Sequence, residues 1–447
     1  MVDAAIPLGA NGRDTVESWG RVTARQCARI EPWFRDQVIT ELRANDHRPL
    51  LLFGLGRSYG DVALNRGGRL IATPRLDRLL SGDWERGVIC AEAGLSLDRL
   101  LRTCVPRGWF IPVSPGTRFV TLGGAVANDV HGKNHETAGT IGCHVRRIEL
   151  ARSTGEILEL SGERNADLFA ATIGGLGLTG AMLSIELQLI PIRSAYFITE
   201  TLKIVDLDDF FRLTQDSAEW PYTVAWVDAF ANGRAIGRGL FSRARHCESG
   251  PLTVHCAPRW SVPAAMPRVL NAPSVRLFNL FYRSRPRGNG LKTAHYGAYL
   301  YPLDAVSHWN RLYGARGFFQ HQSVVPMKNA PDAIRELLRL VATSDEASFF
   351  AVLKLLGDRR SPGLLSFPMH GATIALDFPD RGASTRHLLA QLTEVIVAAG
   401  GRLYPAKDAT MSQQAFRAGY PNWHKIEEQR DPAIMSDFWR RVVRAAP

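Results

Sequence analysis

Apolar positions along this chain come in short runs broken by glycine, not in long helical stripes. Pro49-Leu-Leu-Leu-Phe53 reads as a buried strand that runs into the glycine loop Gly54-Leu-Gly-Arg-Ser-Tyr-Gly-Asp61. Residues 88–93 read as another strand, and residues 96–104 as a helix capped by Ser96, with Gly108 just past its end. Trp109-Phe-Ile-Pro112 opens a further strand, so residues 48–112 predict a β-α-β unit framed by glycine loops.

Residues 115–144 form the most unusual stretch, rich in glycine and polar donors and without a long apolar run, as suits a backbone that approaches a ligand closely. Beyond it, residues 144–151 and 156–161 predict a hairpin across Ser153-Thr-Gly155. Residues 167–171 suggest a helix, and residues 181–190 alternate like a strand. After Pro191 the composition changes. Strands at 223–227 and 349–356 and helices at 330–341 and 385–399 suggest a second domain covering a substrate, and the tail from Arg402 is expected to return to the first. The 447 residues exceed what one core of roughly 100–200 residues supports. The expected division is 1–192, then 193–400, then a returning segment 401–447.

The formal charge is +11, which favours anionic partners without choosing among them. Between residues 234 and 292, eleven cations (Arg234, Arg238, Arg243, Arg245, Arg259, Arg268, Arg276, Arg283, Arg285, Arg287 and Lys292) face the single acid Glu248. Phe241, Trp260, Phe278, Phe281 and Tyr282 are interleaved with them. Phosphate neutralisation and base stacking need those residue types. The prolines and glycines argue instead for a mobile loop, and no nucleic-acid module is visible; the loop is then either a solvated basic surface or a contact for anionic lipid or a lipid phosphate. Cys27, Cys90, Cys104, Cys143, Cys247 and Cys256 are scattered without a CxxC pair, which suits a reducing compartment. No signal peptide or spanning apolar segment is visible, so a cytoplasmic or peripheral membrane location is expected.

Two glycine loops about 60 residues apart, the second before a predicted helix at 121–127, suit a dinucleotide whose diphosphate is held by main-chain N–H groups. Gly175-Leu-Gly177-Leu-Thr-Gly180 matches GxGxxG, but a helix precedes it and a strand follows, the reverse of a nicotinamide-binding Rossmann unit. His131-Gly-Lys-Asn-His135 spaces two histidines like a metal pair. Gly132 and Asn134 disfavour a helix there and no third ligand is evident, so no metal is expected; His131 and Lys133 are better placed beside an anionic cofactor.

Taken together, Gly54 to Asp61, Pro115-Gly-Thr-Arg-Phe-Val-Thr-Leu-Gly-Gly124, Asn128-Asp-Val-His131-Gly-Lys-Asn-His135, the run from Gly174 to Gly180 and Leu403-Tyr-Pro-Ala-Lys407-Asp resemble the decaprenylphosphoryl-β-D-ribose 2-oxidase family. The resemblance extends from Trp19 onward, takes in Phe319-Gln320-His-Gln322 and Ala351-Val-Leu-Lys354-Leu, and belongs to the vanillyl-alcohol-oxidase (PCMH-type) superfamily. It implies an α+β fold: a PCMH-type two-subdomain FAD-binding domain and a cap domain built on an antiparallel sheet.

The resemblance further implies FAD held by Gly54, Leu55, Gly56, Arg57, Ser58, Tyr59 and Gly60, by Gly116, by Thr121, Leu122, Gly123 and Gly124, by Asn128, Asp129, Val130 and His131, and by Tyr404. Related aldonolactone oxidases carry their covalent flavin on a histidine where this chain has Arg57, so the FAD is expected to be non-covalent. Lys407, Tyr59, His131, Gln320, Gln322 and Lys354 would line the catalytic site. The implied reaction is oxidation of the 2-hydroxyl of a polyprenyl-phosphate-linked ribose, with a separate NAD(P)-dependent keto-reductase completing epimerisation to arabinose. The basic loop would engage the substrate's phosphate and a membrane surface. Where mycobacterial relatives show Asn-Ile-Cys-Val-Asp, this chain has Thr373-Ile-Ala375-Leu-Asp377, so the active-site thiol is absent. The alternatives are a sugar or aldonolactone oxidase with a soluble substrate, and a basic lipid- or nucleic-acid-binding protein on a flavin-type fold.

Overall fold

A computed structural model describes residues 14–44, 46–255, 260–263, 272–284, 290–344, 346 and 350–444. Three sheets organise them. Leu50–Phe53 pairs in parallel with Arg69–Ala72 inside a four-stranded sheet that also takes Asp14–Glu17 and Ala24–Ile30. Ala181–Gln188, whose alternating polarity marks it as a strand, is the centre of a five-stranded antiparallel sheet, between Val88–Glu92 and Val145–Ala151. An antiparallel sheet of eight strands occupies the second half of the chain, and helices Ala330–Thr343 and Ala383–Ala398 bury their apolar sides on one of its faces. Mixed strands and helices on segregated sheets make this an α+β fold, with the antiparallel sheet expected of a cap.

The β-α-β unit expected over residues 48–112 is corrected by this topology. Leu50–Phe53 and Val88–Glu92 lie in different sheets, and Trp109–Phe110 pairs with Ile190–Pro191 instead. Two intervening strands, Arg69–Ala72 and Leu79–Asp83, were missed; the second is an exposed edge whose polar residues give no alternation to read. Helix Leu97–Cys104 does start at Ser96, whose hydroxyl accepts from Arg99 N–H, and Gly108 closes the following turn at φ +77°.

The basic stretch 234–292 is not simply a loop. Gly239–His246 is an inner strand, paired on both sides by Tyr196–Ile204 and Tyr222–Val227, while Lys292–His295 is the edge strand and Ala272–Ser284 a helix. Sheet pairing also supplies acids that a count along the chain cannot see: Arg243 meets Glu200 at 2.6 Å and Arg238 meets Asp228 at 2.8 Å. Cys256, Arg259, Arg268, Arg285, Arg287 and residues 1–7 lie outside the described residues.

The tail joins two of these layers. Arg402–Leu403 adds to the edge of the eight-stranded sheet beside Phe318–Pro326. The helices that follow, Gln413–Gly419, Trp423–Gln429 and Asp437–Val442, bury Phe416, Ile426, Phe438 and Trp439 in one core with Leu50, Leu51 and Leu70. Arg441 fastens the turn between them, at 2.7 Å from Asp61 and 3.0 Å from Asp408.

Candidate active site

A cavity of about 630 Å3 runs between the glycine loops and the open face of the eight-stranded sheet. That is well within the ~300–1,000 Å3 of small-molecule sites. One wall is mostly backbone. Gly54, Leu55, Gly56, Arg57, Ser58 and Tyr59 line it, with Gly116, Thr121, Gly123, Gly124, Asn128, Val130, His131 and Tyr404. The glycines are there for clearance: a Cβ on Gly54 would stand 2.5 Å from Thr121 Oγ1, and Gly56 adopts φ +62°. A Cβ on Gly116, by contrast, would meet nothing within 4 Å.

Three expected cofactor residues lie elsewhere. Gly60 is pressed against the tail, where a Cβ would come within 1.7 Å of the Asp408 carbonyl oxygen, and Leu122 is fully buried in the core. Asp129 turns its carboxylate away from the cavity, accepting from Gly142 N–H and from the hydroxyls of Ser361 and Ser366; burial raises its pKa while these donors restrain it. The helix Leu122–Ala127 also differs from expectation as an anion site. Its first N–H groups are already taken, Leu122 by Leu95, Gly123 by Ala93 and Gly124 by the Thr121 hydroxyl. The N–H groups of Leu55, Gly56, Ser58, Gly116 and Thr117 have no acceptor among the described residues, so the main-chain donors of this wall sit in its two loops.

The opposite wall is made of side chains. In the sheet, Gln320 is registered with Asp377, Gln322 with Ala375, and Lys354 with Thr373, so alternate positions of three adjacent strands face the cavity. Gln322 Nε2 lies 3.0 Å from His131 Nε2 and 3.4 Å from the Thr373 hydroxyl. His131 is buried between Tyr404 and Phe367, and its Nδ1 has no partner among the described residues. Burial, reinforced by Lys354, His135 and Lys407, pushes His131 well below the usual histidine range. His135 is not on the cavity wall; its Nδ1 accepts from Gly357 N–H, and among the described residues no metal-ligand cluster forms.

Lys407 comes from the short turn Pro405–Lys407, tied down where Tyr59 N–H donates to the Ala406 carbonyl. Its ammonium stands 3.8 Å from the centroid of the Tyr59 ring, close enough for a cation–π contact. Asp377 completes this corner, accepting from Gln320 Nε2 and from Tyr313 Oη at 2.9 Å. Burial displaces Lys407 downward and Asp377 upward, and the attraction between the two opposes both displacements. Tyr59 is held well above the usual phenol range, chiefly by burial and then by the Asp377 charge. Asp377 and Tyr313 were not singled out from the sequence, although Asp377 follows Thr373 and Ala375 at strand spacing. Leu176 and Gly177 also line the cavity; their signal was the GxGxxG match, set aside because helix Ala166–Thr172 precedes it and strand Ala181–Gln188 follows.

Arg57 stacks on Trp19 with its guanidinium 4.0 Å from the ring centroid. These residues fit a flavin dinucleotide. The loops offer main-chain donors for a diphosphate, the Gly116 surface leaves room for a ligand, and Asn128 Oδ1 and His131 Nδ1 are buried polar atoms awaiting a partner.

Comparison with known proteins agrees with this fit. Residues 28–161 match the model of the FAD binding domain family. Over 95% of its length the chain is 35% identical to the decaprenylphosphoryl-β-D-ribose oxidase of Mycolicibacterium smegmatis, covering 96% of that protein. An uncharacterised protein of Streptomyces coelicolor is 34% identical over 78% of this chain and all of its own length. L-gulonolactone oxidase of Mus musculus is 28% identical, over 34% of each chain.

Proposed function

Because this chain belongs to the decaprenylphosphoryl-β-D-ribose oxidase family and is an FAD-dependent oxidoreductase, we propose that it oxidises the 2-hydroxyl of a polyprenyl-phosphate-linked ribose to the 2-keto sugar. The observation that carries this reading is the corner where Lys407, Tyr59 and Gln320 line a cavity whose glycine loops suit a dinucleotide, with the buried Asp377 carboxylate accepting from Gln320. FAD, when bound, supplies the acceptor for the hydride leaving C2. The Lys407 ammonium stabilises the negative charge that develops on the sugar oxygen as its proton departs, an effect strengthened by exclusion of water. Tyr59 shelters that ammonium with its ring, while Asp377 and Gln320 fix its surroundings through their mutual hydrogen bond. Gln322 and His131 orient the sugar hydroxyls, with His131 kept neutral by burial. FAD is held without a covalent bond, since the Arg57 guanidinium cannot form the histidyl link of the aldonolactone oxidases.

A 2-keto product requires a separate nicotinamide-dependent reductase to complete an epimerisation to arabinose. Membrane contact is assigned to helix Ala272–Ser284, which exposes Leu277, Leu280 and Phe281 while Phe278 and Tyr282 line the cavity. Among the described residues no helix is long and apolar enough to cross a membrane, so this contact is peripheral.

The test is anaerobic mixing of FAD-loaded protein with polyprenylphosphoryl ribose. Bleaching of the flavin band is expected; bleaching by a free aldonolactone and not by the lipid-linked ribose would replace this reading with a soluble-substrate oxidase.

A further inference from the structure

Two partly buried cations remain without a role in the proposed chemistry. Lys133 follows the His131-Gly132 turn; its ammonium donates to the Tyr299 carbonyl oxygen and stands 4.5 Å from the centroid of that ring. Lys354 reaches from strand Ala351–Leu356 to the carbonyl oxygen of Gly132, the residue before Lys133, at 3.3 Å. Both side chains line the cavity. An ammonium offers three donors and accepts none, so each retains two beyond its single carbonyl partner.

Among the described residues no carboxylate draws either lysine toward its charged form. Burial, with the Lys354 charge adding to it, lowers Lys133 to about 7, and burial lowers Lys354 to about 8. Two like charges on one cavity without a counter-ion are costly unless a ligand supplies the missing anion. The surface arginines are weaker claimants, since Arg238 and Arg243 already have carboxylate partners.

We propose that Lys133 and Lys354 form a subsite for an organic phosphate, occupied by the phosphodiester that joins the ribose to its polyprenyl chain. This rests on the ribose reading given above. A flavin diphosphate is the other source of such an anion, but the loops at Leu55–Ser58 and Gly116–Thr117 already offer main-chain donors to it. The lipid continues past Trp226, Leu240, Phe278 and Tyr282, apolar or aromatic side chains on the same cavity.

The experiment compares FAD-loaded wild type with Lys133→Met, Lys354→Met and Lys354→Arg. Calorimetry measures binding of farnesyl phosphate, and anaerobic flavin reduction measures the response to farnesylphosphoryl ribose. Methionine preserves length and removes a partly buried charge that has no carboxylate partner, so folding is retained. Each Met variant is expected to bind farnesyl phosphate roughly ten- to a hundredfold more weakly, the loss of one charged hydrogen bond. The half-saturating ribose ester concentration rises in proportion, FAD content stays, and Lys354→Arg recovers part of the affinity. Unchanged farnesyl phosphate binding in both Met variants overturns the subsite. Loss of FAD with farnesyl phosphate affinity intact also overturns it, assigning the lysines to the cofactor. Lysine-dependent binding in a wild-type protein that leaves the ribose ester unoxidised supports the subsite and removes the ribose reading.

Discussion

The glycine wall and the sheet wall of the cavity meet a ligand with different parts of the polypeptide. Along Leu55–Ser58 and Gly116–Thr117 the donors are main-chain N–H groups, present whatever the side chain, and the requirement on sequence is that no Cβ intrudes. Along the three cap strands everything offered is a side chain on alternate positions, so each substitution changes the chemistry presented. The first arrangement suits a constant partner such as a cofactor. The second suits a substrate, and it is the wall that carries Thr373 and Ala375.

If the division holds, changes on one wall leave the function of the other standing. Lys407→Met has the largest expected effect, a loss of about 10²–10³ in the saturating rate of anaerobic flavin reduction with flavin still bound, the scale of removing one preorganised electrostatic partner. Stopped-flow absorbance checks it, and colourless protein would move Lys407 to the cofactor's wall. Gly116→Val should do the opposite, weakening FAD binding by about tenfold or more as its side chain enters the ligand's space, while the melting temperature of the apoprotein stays. Flavin fluorescence titration decides it.

The third effect is a pH dependence of opposite sign on binding and on stability. Lys133 and Lys354 hold the phosphate only when protonated, so the half-saturating ribose ester concentration should rise as pH climbs through about 7 and 8. Their folded pKa values lie below the unfolded ones, so between pH 7 and 9 the unfolded chain binds more protons and the apoprotein should melt at higher temperature as pH rises. The double Met variant should lose the binding slope and part of the stability slope, the remainder coming from Lys407. Smallest is the change from Leu280→Ser with Phe281→Ser, expected to lower partition onto anionic vesicles several-fold in a flotation assay. Unchanged partition would detach helix Ala272–Ser284 from the membrane.

Much of the glycine wall was legible because glycine and loop polarity are local signals. The strand before Gly54, the cap at Ser96, the helix beginning after Thr121 and the strand from Ala181 all follow from nearest-neighbour chemistry. What escaped were facts made by distant pairing. Asp129 looked like part of a cofactor loop until Ser361 and Ser366 came round to satisfy its carboxylate. The donors of Leu122 and Gly123 looked free until Leu95 and Ala93 took them. Asp377 gained its place from the register with Gln320, and the charge of the 234–292 stretch was overstated because Glu200 and Asp228 lie outside it.

The returning tail also sets the order in which this cavity can come into being. Tyr404 and Lys407 belong to a segment translated after both other walls, and its helices complete the core around Leu50, Leu51 and Leu70. A nascent chain emerging from the ribosome can therefore fold its cap sheet, apart from the Arg402–Leu403 edge, while the pocket still lacks Lys407 and the early strands still lack their covering helices. Capture of the flavin is thus a late step of biogenesis, and a ribosome stalled before codon 400 would display a colourless, half-covered intermediate of the kind that chaperones retain.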